Sequence, residues 1–170
     1  MHYDIAIIGY GPVGAMAASM FGSSGLNIVV IEPKKEIWDI PRAVALDGQA
    51  QRIFQSCGII NNIPVKPIDG LTFINKKGQQ IVYVDFTDHS TPNGYSETVG
   101  FSQPNLERTL REQAESYKNI TFKLGSSLSN LVATENNNEL TVMNNVTNET
   151  EVISSKYLLA CDGADSFVRK

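Results

Sequence analysis

Positive charge is not in excess in this 170-residue sequence, which has a formal net charge of -4 and a pI near 5.2. Without a basic field, neither nucleic acid nor an anionic membrane surface is an expected partner. Long hydrophobic runs are also missing, because apolar runs such as 5–8 and 28–31 are far below the ~20 residues that a membrane helix needs. The N-terminus lacks the charged segment and cleavage site of a signal peptide. We therefore expect a cytoplasmic protein.

Cysteine and histidine are scarce, with two residues of each. Cys57 and Cys161 lie far apart and have no partner at the spacing of a metal site or a CxxC motif, so we expect reduced thiols that serve in packing. His2 and His89 are likewise isolated. These residues predict no metal site.

The N-terminal region has the pattern of a βαβ unit. Residues 3–8 and 27–31 are apolar runs typical of buried strands, and the helical pattern of residues 12–24 between them is ended by Gly25. Such a unit places its strands in parallel, with a right-handed crossover. A hydrophobic fraction of 42% is ordinary for a globular protein, and the length suits one packed domain. We therefore predict an α/β fold with a parallel sheet.

Two further helices are predicted to flank this sheet. Asp47 is a suitable N-cap for the first, and Gly58 ends it. Its apolar residues share one face at helical spacing: Ala50, Ile53, Phe54 and Cys57. The second helix begins at Pro104, and Glu107 and Arg111 are expected to pair four residues apart on its outer face. Its buried face is predicted to carry Leu106, Leu110, Ala114 and Tyr117.

Alternating segments predict antiparallel strands elsewhere in the chain. Residues 70–74 and 80–86 flank Lys77-Gly78 in the manner of a hairpin. Three short segments between residues 120 and 150, with the sequences ITFKL, SLSNLVAT and ELTVMNNV, predict a small antiparallel meander. The apolar strand 157–161 is then expected to return to the parallel sheet before an Asp162-Gly163 turn.

A GxGxxG motif joins the first strand to the first helix. Gly9 allows a tight turn, Gly11 lets the backbone approach a pyrophosphate, and Gly14 permits close helix packing. Unpaired N–H groups at the helix start suit a diphosphate. Glu32 ends the second strand and can accept hydrogen bonds from ribose hydroxyls, which also argues against a 2′-phosphate. A glycine-rich turn with a solvated Glu32 is the alternative, but the order of elements favours a Rossmann-like dinucleotide site. The motif alone does not choose between NAD and FAD.

Four segments across the chain carry a more specific likeness. They are GYGPVGAMAA to IEP at residues 9–33, PRAVALDGQAQRIFQSCGI at 41–59, FSQPNLERTLREQA at 101–114 and YLLACDGADSFVRK at 157–170. In these segments and their order the sequence resembles the FAD-dependent aromatic hydroxylases, the single-component flavin monooxygenases of the p-hydroxybenzoate hydroxylase type. It is most similar to their 3-(3-hydroxyphenyl)propionate hydroxylase-like branch. The last segment looks like the DG motif of that family, completed by Ser166 and Arg169.

The resemblance implies roles for residues outside the glycine motif. Arg42 would lie across the FAD pyrophosphate, and Gln103 would hydrogen-bond the flavin end or the ribityl chain. Leu128 would present its backbone to the adenine. Asp162 and Gly163 would support the ribityl and pyrophosphate region and the transient NAD(P)H path. No catalytic residue and no metal ligand is predicted. The predicted cofactor-binding residues are Gly9, Gly11, Pro12, Val13, Gly14, Glu32, Pro33, Arg42, Gln103, Leu128, Asp162 and Gly163.

Tyr10, inside the glycine loop, and Trp38 are aromatic residues that could be taken for groups that stack on the flavin. Because their positions have no flavin contact in the family that the sequence resembles, we expect packing or partial exposure for both.

The resemblance also implies an activity. It predicts an NAD(P)H-dependent, FAD-containing monooxygenase that hydroxylates a phenolic or other small aromatic substrate. It further predicts one FAD-binding domain over residues 1–170, with residues 67–100 as part of a β-rich substrate-domain insertion. The family continues beyond its DG motif, with a Gly-Asp motif that is absent here. We therefore expect the N-terminal, FAD-binding part of such an enzyme, inactive by itself.

Two other interpretations differ in class. One is a non-catalytic fragment or module that binds FAD or another nucleotide and acts with a partner. The other is an NAD-dependent dehydrogenase, which is disfavoured because residues 41–59 and 101–114 do not resemble the continuation of that fold. The substrate, the choice of NADH or NADPH, and the oligomeric state are left open by the sequence.

Overall fold

The chain is divided into two units in a computed structural model that describes residues 1–87 and 91–170. The first unit contains Met1–Asp39 and Glu107–Lys170, and the second contains Ile40–Leu106. His89 lies outside the described residues. None of the described helices is long and apolar enough to cross a membrane. The assignment of residues 67–100 to an inserted substrate domain stays a prediction.

The described elements alternate between helices and strands in the first half and are mostly strands afterwards. In chain order they are β1 (His2–Ile8), α1 (Pro12–Gly22), β2 (Ile28–Glu32), β3 (Ala45–Asp47), α2 (Gly48–Ser56), a short 3₁₀ turn (Ile60–Asn62), β4 (Val65–Pro67), β5 (Gly70–Ile74), β6 (Gln80–Asp85), β7 (Thr98–Phe101), α3 (Gln103–Glu115), β8 (Ile120–Leu124), β9 (Ser126–Ala133), β10 (Asn138–Asn144) and β11 (Thr150–Ala160).

The predicted βαβ unit is confirmed at the centre of the first unit's sheet. The strand order is β8-β2-β1-β11-β10-β9, and β1 pairs in parallel with β2 on one side and with β11 on the other. β1 and β2 are almost wholly buried, as the continuous apolar runs of both strands predict. The carboxyl ends of β1, β2 and β11 therefore share one edge, which is where ligands bind in sheets of this kind.

The meander prediction was wrong for residues 120–124. This segment forms β8, which pairs in parallel with β2 rather than with its neighbour in sequence. The free edge of β2 offers a full row of backbone groups, and the helix that precedes β8 returns the chain in the parallel direction. The antiparallel meander therefore consists of β9, β10 and the first part of β11.

β11 is longer than the predicted strand at 157–161. It begins at Thr150, pairs antiparallel with β10 as far as Ser155, and pairs in parallel with β1 from Ser154 to Ala160. The polar residues in the middle of the strand interrupt its apolar pattern, which concealed its continuity. Strands from both parts of the sheet contribute to one hydrophobic core: Tyr3, Ala6, Ile8, Val29, Ile31, Leu128, Leu140, Val142 and Ile153.

The three helices are predicted at about the right places in the sequence, but their buried faces are only partly correct. α1 ends at Gly22, before the predicted residue 24, where Ser24 donates its N–H to the carbonyl of Phe21 at 2.9 Å. α3 begins at Gln103, and Leu110 and Ala114 are buried as expected. The ion pair of Glu107 and Arg111, expected outside, is buried instead.

The second unit contains α2 and two small antiparallel sheets, β3-β7-β4 and the predicted hairpin β5-β6. Asp47 caps α2 as expected, since its Oδ1 accepts the N–H of Ala50 at 2.7 Å. Phe54 is buried, but Ile53 is 44% exposed, so the predicted apolar face of α2 is only partly correct. Gln51 is buried in its place because its amide donates to the carbonyls of Asp47 and Ser96.

Candidate functional site

Two of the three motif glycines are required by close packing of the loop. Gly9 has a φ of +95°, and a Cβ there would lie 2.4 Å from the carbonyl oxygen of Cys161. A Cβ at Gly14 would lie 2.0 Å from the carbonyl oxygen of Gly9 and 3.4 Å from the Cβ of Cys161. The loop is therefore pressed between β1, α1 and the end of β11, as the sequence predicted for close packing.

Gly11, unlike Gly9 and Gly14, is not required by packing within the protein. Its φ of -71° is open to any residue, and a Cβ there would meet nothing within 4 Å. Its N–H has no acceptor in the described part of the chain. Pro12 occupies the first turn of α1, and Val13 is 70% exposed. An open space in front of unpaired N–H groups at a helix start suits an anion.

Glu32 lies beside this loop and is held by two backbone groups. Its Oε2 accepts the N–H of Tyr10 at 2.7 Å, and its Oε1 accepts the N–H of Lys34 at 2.9 Å. A carboxylate oxygen has a second lone pair, so both oxygens keep an acceptor position for a ribose hydroxyl. The next residue, Pro33, is exposed, and its carbonyl accepts the side-chain amide of Asn145 at 3.3 Å. Glu32 is thus both a candidate ligand and a support of the loop, and the second role was not predicted.

Asp162 follows β11 and lies next to the glycine loop. Its Oδ2 accepts the N–H groups of Phe167 and Val168 at 2.7 and 3.2 Å. Its Oδ1 is buried and has no hydrogen-bond partner among the described residues. Burial raises the pKa of the carboxyl, but hydrogen bonds from Ser166 and from backbone N–H groups outweigh this, so the pKa lies below its usual value. The next residue, Gly163, has a φ of +81° and is exposed to solvent.

Arg42 and Gln103 are brought together within the second unit. The side chain of Gln103 is buried, and its Oε1 accepts the N–H groups of Arg42 and Ala43 at 2.7 and 3.0 Å. Gln103 therefore anchors the backbone of the segment that carries Arg42. Among the described residues, the side-chain amide nitrogen of Gln103 has no hydrogen-bond partner and could serve a ligand. Arg42 is exposed.

Leu128 lies on β9, with its side chain buried in the core that also contains Ile8 and Ile31. Those two residues lie near the ends of β1 and β2, directly before the glycine loop and Glu32. β9 pairs with β10 on one side only, and Leu128 is opposite Val142. A role of its backbone toward an adenine stays a prediction.

The cluster of Tyr10, Arg111 and Glu107 was missed by the sequence reasoning. Tyr10 is 0% exposed, which fits the packing expected of it, and its ring lies 4.5 Å from the guanidinium carbon of Arg111. Arg111 donates from Nη2 to the carbonyl of Tyr10 and to Oε1 of Glu107, both at 2.8 Å. Burial raises the pKa of the Tyr10 hydroxyl, as does Glu115, so this group stays neutral.

No signal in the helical pattern could have shown that this pair is buried, since an i, i+4 ion pair is typical of a solvated face. Trp38 is the other aromatic residue considered for flavin stacking. It is partly exposed, as expected, and the Lys34 ammonium lies 3.6 Å from its ring centroid.

A family model described as an FAD binding domain matches residues 2–170 of the chain. Similar proteins include the 3-(3-hydroxy-phenyl)propionate/3-hydroxycinnamic acid hydroxylases of Escherichia coli O8 (strain IAI1) and Shigella sonnei (strain Ss046). Each is 29% identical over 170 residues, which cover 98% of this chain and 30% of the relative. The chain thus spans about a third of the length of the curated relatives that it matches.

Solved structures share the fold. The p-nitrophenol 4-monooxygenase PnpA from Pseudomonas putida DLL-E4 superposes with a TM-score of 0.88 at 19% identity, over 99% of this chain and 43% of that one. The flavin-dependent monooxygenase PieE was solved in complex with FAD and substrate. It superposes with a TM-score of 0.85 at 21% identity, over 99% of this chain and 31% of that one.

The residues of the first unit fit FAD at three points. The open space at Gly11 with its unpaired N–H suits the pyrophosphate. The carboxylate of Glu32 suits the hydroxyls of the adenosine ribose. The orphaned Oδ1 of Asp162 is a buried acceptor that needs a donor, which a ribityl hydroxyl supplies. Within the described ranges, no group of three or more His, Cys, Asp or Glu residues could hold a metal ion.

Proposed function

The chain belongs to the FAD binding domain family, and from this membership we propose that it serves an NAD(P)H-dependent monooxygenase that hydroxylates a phenolic or other aromatic compound. The proposed activity belongs to the protein that carries this chain, because the chain spans only 30% of its relatives' length. The relatives named for hydroxylation of hydroxyphenylpropionate and hydroxycinnamate support an aromatic substrate. Their names do not distinguish NADH from NADPH.

One observation carries the proposal. At the shared carboxyl end of β1, β2 and β11, the N–H of Gly11 has no acceptor among the described residues, and a Cβ on Gly11 would meet open space. Along the strand order, Gly11 follows β1 and lies between Glu32 at the end of β2 and Asp162 after β11. A diphosphate with hydroxyl-bearing groups on both sides satisfies all three features together. FAD has this arrangement, with a ribose on one side of its pyrophosphate and a ribityl chain on the other.

The chain's own residues would bind and orient the cofactor. The N–H groups at the start of α1 would hold the pyrophosphate, with Pro12 and Val13 in the turn around it. Glu32, followed by Pro33, would accept from the ribose, and Asp162, followed by Gly163, would accept from the ribityl chain. Bound FAD supplies the transfer of electrons from NAD(P)H to dioxygen that hydroxylation requires. Because no acid–base residue is required of this chain, its contribution is binding, orientation and exclusion of water.

We extend the proposal to residues of the second unit and of β9. Arg42 would offset the charge that the loop N–H groups leave on the pyrophosphate. Gln103 would keep the Arg42 segment in place through Oε1 and donate from its amide nitrogen to the cofactor. Leu128 would offer its backbone to the adenine.

The test uses the protein that carries this chain, loaded with FAD. We expect oxidation of NADH or NADPH to accelerate with a phenolic acid such as 3-(3-hydroxyphenyl)propionate, and mass spectrometry to find a product one oxygen atom heavier. Glu32→Ala is the matched variant, and it should need more FAD for the same rate. Stoichiometric FAD binding without oxidation of either nicotinamide cofactor, across a panel of phenols, would overturn the proposed activity and leave FAD binding intact.

A further inference from the structure

We propose that Arg111 on α3 is a positioning residue for the cofactor loop, and that it aims the N–H of Gly11 at the pyrophosphate. The proposal rests on the proposed cofactor site. Arg111 is only 7% exposed and lies against the buried ring of Tyr10, so we assign it no direct contact with the cofactor.

Both backbone groups of Tyr10 are held by charged side chains. Its N–H donates to Oε2 of Glu32 at 2.7 Å, and its carbonyl accepts from Nη2 of Arg111 at 2.8 Å. The Tyr10 ring is fully buried, and it lies against the guanidinium of Arg111 and near the ring of Phe122, whose centroid is 5.2 Å away. The peptide groups before and after Tyr10 are therefore both fixed in orientation.

The orientation of the second peptide group determines where the loop donates. In a trans peptide the carbonyl and the following N–H point in opposite directions. A Tyr10 carbonyl directed at Arg111 therefore turns the N–H of Gly11 away from Arg111. That N–H is the one with no acceptor in the described chain, and a Cβ on Gly11 would meet open space. Arg111 thus presents a donor to the cofactor without contacting it.

The burial of the pair argues that it does more than stabilise α3. Glu107 is 3% exposed and accepts from Nη2 of Arg111, and the removal of two charges from water costs more than such a pair commonly returns. The Nε of Arg111 is buried without a partner within the described residues. The partner on its own helix therefore leaves this guanidinium incompletely satisfied, and Nη2 donates to the loop as well as to Glu107.

The matched variants are Arg111→Met and Arg111→Lys, with Arg108→Met as the control on the exposed side of α3. Kd is measured for FAD and for ADP by isothermal calorimetry, well below the melting temperature of each ligand-free variant. Arg111→Met should weaken both ligands by the same factor, roughly tenfold to a hundredfold, because both contain the diphosphate. Arg111→Lys should recover part of this loss. Arg108→Met should bind both ligands like the unchanged protein.

The outcomes separate the inference from the proposed site. A purely structural Arg111 would lower the melting temperature of the ligand-free protein but leave both Kd values unchanged, and that result would overturn the inference. Failure of the unchanged protein to bind FAD or ADP would overturn the proposed site instead. If Arg111→Met does not fold, Arg111→Lys decides. Unchanged Kd values for FAD and ADP in that variant would overturn the role assigned to the stacked, planar guanidinium.

Discussion

Gly9, Gly11 and Gly14 belong to one motif, but their surroundings differ. Gly9 and Gly14 are enclosed by backbone atoms, whereas Gly11 faces open space. The spacing of the motif predicted all three roles, because the tight turn, the ligand approach and the helix packing each depend on backbone geometry. The role of Arg111 could not be predicted in this way. Helical periodicity gives the angle between side chains, and it does not reveal that the ring of Tyr10 covers that side of the helix.

The first prediction separates folding from cofactor binding within the motif. Gly14→Ala should lower the free energy of unfolding of the ligand-free protein by about 2 kcal/mol or more, because its Cβ collides with the Gly9 carbonyl. Gly11→Ala should leave that free energy nearly unchanged and weaken FAD binding at least tenfold, since its methyl group occupies the open space. Chemical denaturation and FAD titration of both variants provide the measurements. Equal loss of stability in the two variants would contradict the assigned roles.

The second prediction concerns Glu32, whose two backbone hydrogen bonds exist without any ligand. Glu32→Ala should lower the stability of the ligand-free protein by about 1 to 3 kcal/mol and weaken FAD binding further. Glu32→Gln keeps an acceptor for one N–H, so it should lose less stability and less FAD affinity than Glu32→Ala. Thermal melts with and without FAD compare the two variants. A Glu32→Ala protein whose ligand-free melting temperature is unchanged would show that the loop does not depend on this carboxylate.

The third prediction follows from the lowered pKa of Asp162. A carboxyl whose pKa is lower in the folded than in the unfolded state contributes stability above its unfolded pKa, and that contribution is lost as the pH falls through the folded pKa. Asp162→Asn should therefore be less stable than the unchanged protein near neutral pH. The difference should shrink as the pH falls below about 4, the usual range for aspartate. Urea unfolding of both proteins over this pH range is the measurement. A stability difference that stays constant with pH would show that the lowered pKa of Asp162 is not its cause.

At the scale of elements, the sequence predicts a strand or helix best where one pattern runs uninterrupted. β1, α1 and β2 follow from such runs, and the hairpin follows from its alternation and turn. β8 and β11 were assigned incompletely because pairing partners are decided by tertiary structure. β8 is short and could join either sheet direction, while polar residues divide β11 between two partners.

The fourth prediction tests the start of α2, which a side chain caps directly. Asp47 accepts the N–H of Ala50, so Asp47→Ala should destabilise the protein by about 1 kcal/mol, and Asp47→Ser should restore most of this. The free energy of unfolding in urea is the quantity compared. Indistinguishable stability of the alanine and serine variants would show that the cap contributes nothing.

At the scale of the whole molecule, the four sequence segments led to the same family that the family model shows. The fold agrees with that of solved flavin-dependent and p-nitrophenol monooxygenases. The sequence could predict those parts of the candidate site that belong to a recognisable motif. These are the glycine loop, Glu32 and the Asp162-Gly163 turn. The anchoring of Arg42 by Gln103 depends on contacts between segments distant in sequence, so it became visible only in the structure.

The central claim is that the glycine loop takes FAD, and equilibrium dialysis of the chain against FAD and NAD tests it most directly. The chain should retain FAD, approaching one per chain at saturation with the absorbance bands of a flavin, and bind NAD much more weakly. Gly11→Ala should lose most of the retained FAD while keeping its fold by circular dichroism. Stoichiometric binding of NAD with no measurable FAD would contradict the account.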